Sequence, residues 1–172
     1  MTTTLKSCRV PWDVSASPGV TLVHQEGEVA PECKVAFCGS RLGAGDLLDM
    51  VQVQITFHAA WHARVAPKFD QSDIESEGFE VPDAYIGGTA GDYLEWRQTA
   101  WREQGVCPDA SFYVATRSDW LETMPKETTS RSRHYVVCGR DGYAEILAEG
   151  FSWRELGMSG EDGLYREGEG VE

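Results

Sequence analysis

The chain has 172 residues and carries 28 acidic against 15 basic side chains, which gives a formal net charge of −13. This length predicts one domain. A chain so acidic is excluded from the usual nucleic-acid and anionic-lipid binders, because those sites need clustered cations. No stretch reaches the ~18 apolar residues that a membrane span requires, so we expect no membrane partner.

Five cysteines occur along the chain. Their odd number, and the lack of an apolar signal-peptide core in residues 1–10, predict reduced thiols in the cytoplasm. Cys33 and Cys38 have four residues between them and no second close pair accompanies them. That is not the spacing of a zinc site, so we expect neither a structural metal nor a cofactor.

Most of the excess acid lies in two segments. Residues 68–83 have a net charge of −5 and residues 157–172 a net charge of −4. The second segment is rich in glycine and buries too little apolar area to offset its ordering entropy, so we predict a flexible tail. The first is predicted to be a long loop that either aids solubility or binds a basic protein. Its carboxylates are Asp70, Asp73, Glu75, Glu77, Glu80 and Asp83.

Strands are predicted at residues 19–24 and 34–38, between breaks at proline and glycine. Residues 51–65 then alternate between apolar and polar side chains, which is the period of an amphipathic strand. At about 3.3 Å per residue such a strand would span roughly 50 Å, longer than usual. We therefore expect a bend or bulge near Ala59 and Ala60.

The polar side of this predicted strand carries mostly neutral hydrogen-bonding groups, where a solvated face would normally carry Lys and Glu. Either solvent or a partner covers it, or it lines a polar cavity on a curved sheet. His58 and His62 lie four residues apart, about 13 Å on a strand, which is too far for one metal ion. The candidate ligand-lining residues are Gln52, Gln54, Thr56, His58, His62 and Arg64.

One main helix is predicted after the acidic loop. Asp92 and Glu95 have the spacing of a helix-capping pair, and Gly105 followed by Pro108 predicts the end of a helix over residues 93–104. A stripe of large side chains should pack this helix on a sheet. The stripe comprises Tyr93, Trp96 and Ala100, widened by Leu94 and Trp101.

Further short elements complete the predicted fold. Residues 111–116 form a strand, Ser118 caps a single turn, and residues 134–139 and 143–148 form a hairpin. Asp141 and Gly142 would supply the positive φ angles of its turn, and Ser152 with Glu155 predicts another capped turn. The fold class is α+β: an antiparallel, curved sheet with one main helix, as a domain at 1–156 before the tail at 157–172.

Two stretches of the segment 92–153 resemble a group of small uncharacterised bacterial soluble proteins. They read WREQGVCPDASFYVATRSDWL and HYVVCGRDGYAEILAEGFSW. The segment covers about a third of the chain, and the resemblance implies no activity and no site residue.

The chain contains no phosphate-binding, nucleophile-elbow or zinc-protease motif. Whether it is an enzyme is therefore left open. One hypothesis is an acidic binding protein, immunity- or inhibitor-like, that engages a basic protein through the carboxylates at 70–83. The alternative is a small-molecule-binding protein or biosynthetic enzyme with a polar cavity lined by the strand at 51–65.

Overall fold

A computed structural model describes residues 3–14, 17, 19–25, 30–43, 47–67, 79–80, 88–126, 130–156 and 164–169. These ranges contain twelve strands and two helices. The strands are β1 (Thr3–Ser7), β2 (Trp12–Asp13), β3 (Thr21–Gln25), β4 (Glu32–Leu42), β5 (Leu48–His58), β6 (His62–Pro67), β7 (Phe79–Glu80), β8 (Phe112–Ala115), β9 (Arg133–Cys138), β10 (Gly142–Ala148), β11 (Gly150–Leu156) and β12 (Leu164–Glu169). The helices are α1 (Ala90–Gln104) and α2 (Asp119–Thr123).

The strands form two sheets that together make a curled half-barrel. Sheet 1 has the order β6-β10-β9-β8-β1-β7, and sheet 2 the order β12-β11-β5-β4-β2, with β3 also paired to β4. Every described pairing is antiparallel except that of β1 with β7. The predicted antiparallel, curved architecture, dominated by its sheets and with one main helix, is confirmed.

The predicted long strand at 51–65 is two strands joined by a bend. β5 lies in sheet 2 and β6 in sheet 1. Ala59 between them has a φ of 48°, a left-handed conformation that an extended strand does not adopt. The neighbouring strand pair turns at the same place, because Trp61 N donates to Leu147 O and Glu149 N donates to His58 O, each at 3.0 Å. The expected bend is confirmed, and the expectation of one continuous strand is wrong.

The main core fills the space between the two sheets. Val53, Ile55 and Phe57 on β5 point inward and are fully buried. Phe57 meets aromatic rings of sheet 1, with ring centroids 6.0 Å from Phe112 and 5.3 Å from Tyr135. Burying such large apolar side chains contributes about 1.5–3 kcal/mol each. The odd-numbered residues from Val51 to Phe57 are therefore held inward, and the even-numbered residues between them must face outward.

The opposite face of sheet 1 is also buried. A second, smaller apolar cluster lies there and includes Leu5, Phe79, Val136 and Tyr143. Because apolar groups cover both faces of this sheet, polar side chains on it are withdrawn from water unless they reach an edge.

Helix α1 begins three residues earlier than predicted. Thr89 is its N-cap and forms a reciprocal capping box with Asp92, so Asp92 is the third helical residue rather than the cap. The helix ends at Gly105, which has a φ of 68°, as predicted. Arg97, Ala100 and Trp101 are its buried residues. Among the described residues, no helix is long and apolar enough to cross a membrane.

The buried face of α1 differs from the predicted stripe of large side chains. Leu94 is exposed, and Arg97 takes the inward position instead. Its guanidinium lies 2.7 Å from the carboxylate of Asp13, which is also buried. A buried arginine needs a partner of opposite charge. The spacing of residues along the helix could not predict this partner, because Asp13 lies far away in the sequence.

Two local predictions near the end of the chain are corrected. Ser152 and Glu155 belong to strand β11, because Phe151 and Trp153 alternate inward as the strand pairs with β5. The hairpin turn at 139–142 closes with Gly139 N donating to Gly142 O, and neither Asp141 nor Gly142 has a positive φ. The flexible tail predicted at 157–172 lies mostly outside the described residues and stays a prediction; inside that range, β12 pairs with β11.

The pairing of β12 has a clear steric basis. Gly168 lies opposite Trp153, and a Cβ at position 168 would come within 2.8 Å of the indole ring. Backbone hydrogen bonds to β11 compensate the ordering entropy that argued for a free chain. The pairing brings an acidic edge strand beside the outer face of β11.

Candidate functional site

The polar side chains predicted to line a ligand site separate into two groups. Gln52, Gln54, Thr56 and His58 remain together on the outer face of β5, opposite the core. His62 and Arg64 lie on β6, in the other sheet. The bend at Ala59 causes this division, so the six residues do not line one surface.

A groove lies on the outer face of sheet 2, over β11. Its volume is about 370 Å³, within the range of small-molecule sites. We call it the outer groove. It is open to solvent, and β5, β11 and β12 supply its walls. The lining residues are Gln54, Thr56, Ser152, Trp153, Arg154, Glu167, Gly168 and Glu169.

The outer groove presents groups of both charges beside neutral donors and acceptors. Arg154 Nε donates to Gln54 Oε1 at 2.7 Å, which fixes the guanidinium beside another lining residue. Strand register sets Arg154 opposite Glu167, and Ser152 opposite Glu169. The groove could therefore bind a ligand that carries several hydroxyl, amide or amine groups.

Only Gln54 and Thr56 of the lining residues were identified in the sequence. Ser152, Arg154, Glu167 and Glu169 were missed, because β11 was predicted as a capped turn and β12 as free chain. The alternation of Phe151 and Trp153 with Ser152 and Arg154 is a strand signal that would have found half of them.

At one end of the outer groove, three strands bring together a serine, a histidine and a glutamate. His58 Nε2 lies 3.0 Å from Ser152 Oγ. His58 Nδ1 lies 4.0 Å from Glu32 Oε1, and the two side chains are 49% and 39% exposed. We call Ser152, His58 and Glu32 the outer triad. Its histidine can accept the serine proton while the carboxylate faces the other ring nitrogen.

A second set of the same three residue types lies on the far face of sheet 1. His134 Nδ1 lies 2.8 Å from Ser118 Oγ, and its Nε2 lies 2.9 Å from Glu145 Oε2, close but off the line of a good hydrogen bond. The exposed fractions of Ser118, His134 and Glu145 are 5%, 2% and 1%. We call these residues the buried triad.

Arg64 completes the buried triad from β6. Its Nε donates to Glu145 Oε1 at 2.6 Å and its Nη2 to Oε2 at 2.9 Å, a bidentate pair. Its guanidinium carbon lies 4.4 Å above the Trp120 ring. Burial raises the pKa of Glu145, but the contacts with His134 and Arg64 outweigh that effect and leave the pKa below its ordinary value.

The hydroxyl of Ser118 is already committed within the fold. As the N-cap of α2, it accepts a hydrogen bond from Leu121 N at 3.1 Å. With Glu145 ionised, the consistent assignment places a proton on His134 Nε2 and lets Nδ1 accept from Ser118. Each member then lies within 3.0 Å of another polar group inside the protein, which is typical of a structural network.

The cysteines offer no activated thiol among the groups with a shifted pKa. Burial raises the pKa of Cys8 and Cys107 to about 12 and that of Cys33 to about 11. All five cysteines are thiols outside any disulfide, and Cys138 is buried. In the described ranges, no group of three or more His, Cys, Asp or Glu residues could hold a metal ion.

The acidic segment predicted to bind a basic partner falls almost wholly outside the described residues. Asp70, Asp73, Glu75, Glu77 and Asp83 lie outside them. Glu80 lies in β7, and the structure does not describe its side chain. That binding site stays a prediction.

Comparison with known proteins found no matching family model, no matching curated protein and no matching solved structure. The resemblance noted for residues 92–153 therefore stays a prediction. Function must be inferred from the side-chain geometry of this chain.

Proposed function

We propose that this protein binds a small polar molecule in the outer groove. The observation that carries the proposal is a groove of about 370 Å³, six of whose eight lining residues are polar or charged, with charges of both signs. Small-molecule sites have similar volumes and use a few convergent polar groups to set orientation.

The character of the lining favours a ligand with several polar groups. Gln54, Thr56 and Ser152 are only partly exposed, so few water molecules contact them. A ligand that forms hydrogen bonds with these residues would therefore displace little water. Arg154 adds a cation, and Glu167 and Glu169 add two acceptors. A ligand of interleaved donors and acceptors satisfies this set better than an apolar one.

Backbone amide NMR spectra would test this proposal. The protein is titrated with a panel of monosaccharides, amino acids and short carboxylic acids. We expect at least one compound to shift amide signals of β5, β11 and β12 together, and Arg154→Ala to weaken that binding. His62→Ala is the matched control, because β6 lies in the other sheet. Shifts confined to other strands, or none with any compound, would refute the proposal.

A basic protein partner for the acidic segment is a second proposal, supported by the net charge of −5 over residues 68–83. Its association should weaken steeply as salt rises, because exposed charges are screened. Binding to a basic partner that is insensitive to salt would contradict it. A cytoplasmic location is proposed as well, supported by five cysteines that are not joined in disulfides.

A further inference from the structure

The outer triad lies where the outer groove supplies space for a reacting molecule. Ser152 belongs to both, since it lines the groove and lies 3.0 Å from His58 Nε2. Cross-strand pairing creates this arrangement: β11 pairs with β5, and β5 pairs with β4. The serine, the histidine and the glutamate therefore follow one another across three adjacent strands.

We propose that Ser152 is the nucleophile of an acyl-transfer reaction on a small ester held in the outer groove. This inference rests on the proposed function, because the groove must first bind the acyl compound. His58 is the general base, and Glu32 is a positioning residue that orients the imidazole through Nδ1.

The reaction balances without a cofactor. Ser152 Oγ forms a bond to the carbonyl carbon while its proton moves to His58 Nε2. The bond from that carbon to the alcohol oxygen then breaks, and His58 returns the proton to the leaving alcohol. Water attacks the acyl-serine, gives one proton to His58, and releases the acid as Ser152 takes that proton back. The net change is ester plus water to acid plus alcohol.

The groove also contains groups suited to the charge that develops on the carbonyl oxygen. Arg154 and the amide of Gln54 line the same cavity and are already joined by a 2.7 Å hydrogen bond. A guanidinium and an amide are both donors of the kind that stabilise an oxyanion. The 4.0 Å separation of His58 and Glu32 is loose, as is common before a substrate is bound.

The buried triad differs from the outer triad in the accessibility of its serine. Its contacts are shorter, but Ser118 is 5% exposed and its oxygen already accepts the Leu121 amide. A nucleophile needs both an approach path and a free lone pair. Ser152 has the approach path, so the two serines make a matched pair for testing.

Hydrolysis of p-nitrophenyl acetate by the full-length protein tests the inference. We expect turnover above the solution rate and a transient acetyl group on Ser152, identified by peptide mass spectrometry. Ser152→Ala and His58→Gln should each lower the rate by about 10- to 100-fold. Ser118→Ala, the matched serine, should leave the rate unchanged. Circular dichroism confirms that each variant is folded.

Glu32 requires a separate readout, because a merely structural role would also lower activity. Glu32→Gln should lower kcat by a larger factor than it changes KM. Glu32→Asp, which keeps the carboxylate, should retain part of the kcat that Glu32→Gln loses. An equal effect of both variants on KM alone would show that Glu32 does not orient His58.

Two results would overturn the inference. If Ser152→Ala keeps the rate while His58→Gln loses it, the imidazole itself is the nucleophile. If compounds bind the outer groove in the NMR titration but no ester is cleaved and Ser152 is never acetylated, the groove is a binding site only. Absence of groove binding would instead remove the proposed function as well.

Discussion

The outer and buried triads contain the same residue types but differ in contact and access. The buried triad has contacts of 2.8 and 2.9 Å, and Arg64 neutralises its carboxylate. The outer triad has contacts of 3.0 and 4.0 Å and opens on a groove. Burial strengthens electrostatic contacts and removes access at the same time. Short distances between buried groups therefore indicate a structural network, and an adjoining cavity indicates a candidate for chemistry.

The largest expected difference between the two sets is in stability. Glu145→Ala should lower the free energy of unfolding by about 2–3 kcal/mol, because it leaves His134 without its carboxylate in a buried site. Glu32→Ala, the matched glutamate of the outer triad, should change it by less than about 0.5 kcal/mol, since exposed ion pairs contribute little. Urea denaturation measures both. Equal losses would show that the outer triad is structural too.

The pH dependence of stability should follow the buried carboxylate. The folded-state pKa of Glu145 is below its ordinary 4.5, so its contribution is complete above that value and is lost as pH falls through the folded pKa. We expect the Glu145→Gln variant to lose less stability than the natural protein on acidification below about pH 4.5. Unfolding free energies measured between about pH 3 and 6 give the comparison. Parallel curves for the two proteins would contradict this assignment.

The two serines should differ by a smaller amount. Ser118→Ala removes a helix cap as well as a partner of His134, and should cost about 1 kcal/mol. Ser152→Ala removes an exposed cross-strand contact and should leave thermal stability nearly unchanged. Differential scanning calorimetry of the two variants is sufficient. A larger loss for Ser152 would mean that its contact with His58 supports the sheet.

The smallest expected change in stability comes from a substitution at Ala59, in the bend between β5 and β6. Ala59 has a φ of 48°, which glycine adopts at no steric cost. Ala59→Gly should therefore stabilise the fold by about 0.5–1 kcal/mol. Ala60→Gly, one residue along, should destabilise it, because Ala60 is fully buried and packs in the main core. Loss of stability in Ala59→Gly would show that its methyl group contributes more than the strain costs.

The sequence predicted individual strands and helices better than it predicted which strands pair with one another. Alternation in residues 51–58 set which side of β5 faces inward, and the expected bend occurs at Ala59. The end of α1 at Gly105 was equally clear. The strand β11 was missed because Ser152 and Glu155 have the spacing of a capping pair, and this local signal was outweighed by pairing with β5. The six predicted lining residues divided because the chain turns into another sheet.

The amino-acid sequence by itself determined the acidic charge, the dominance of strands, the single main helix and the polar outer side of β5. These are local properties, read from composition, periodicity and capping. Only the tertiary structure decided that Ser152 lies beside His58, and that Glu145 lies between His134 and Arg64. Strand pairing brings together Arg64 and Glu145, which are 81 positions apart, and His58 and Ser152, which are 94 positions apart. Periodicity sets the face of a strand, whereas the choice of neighbouring strand depends on packing of the whole core.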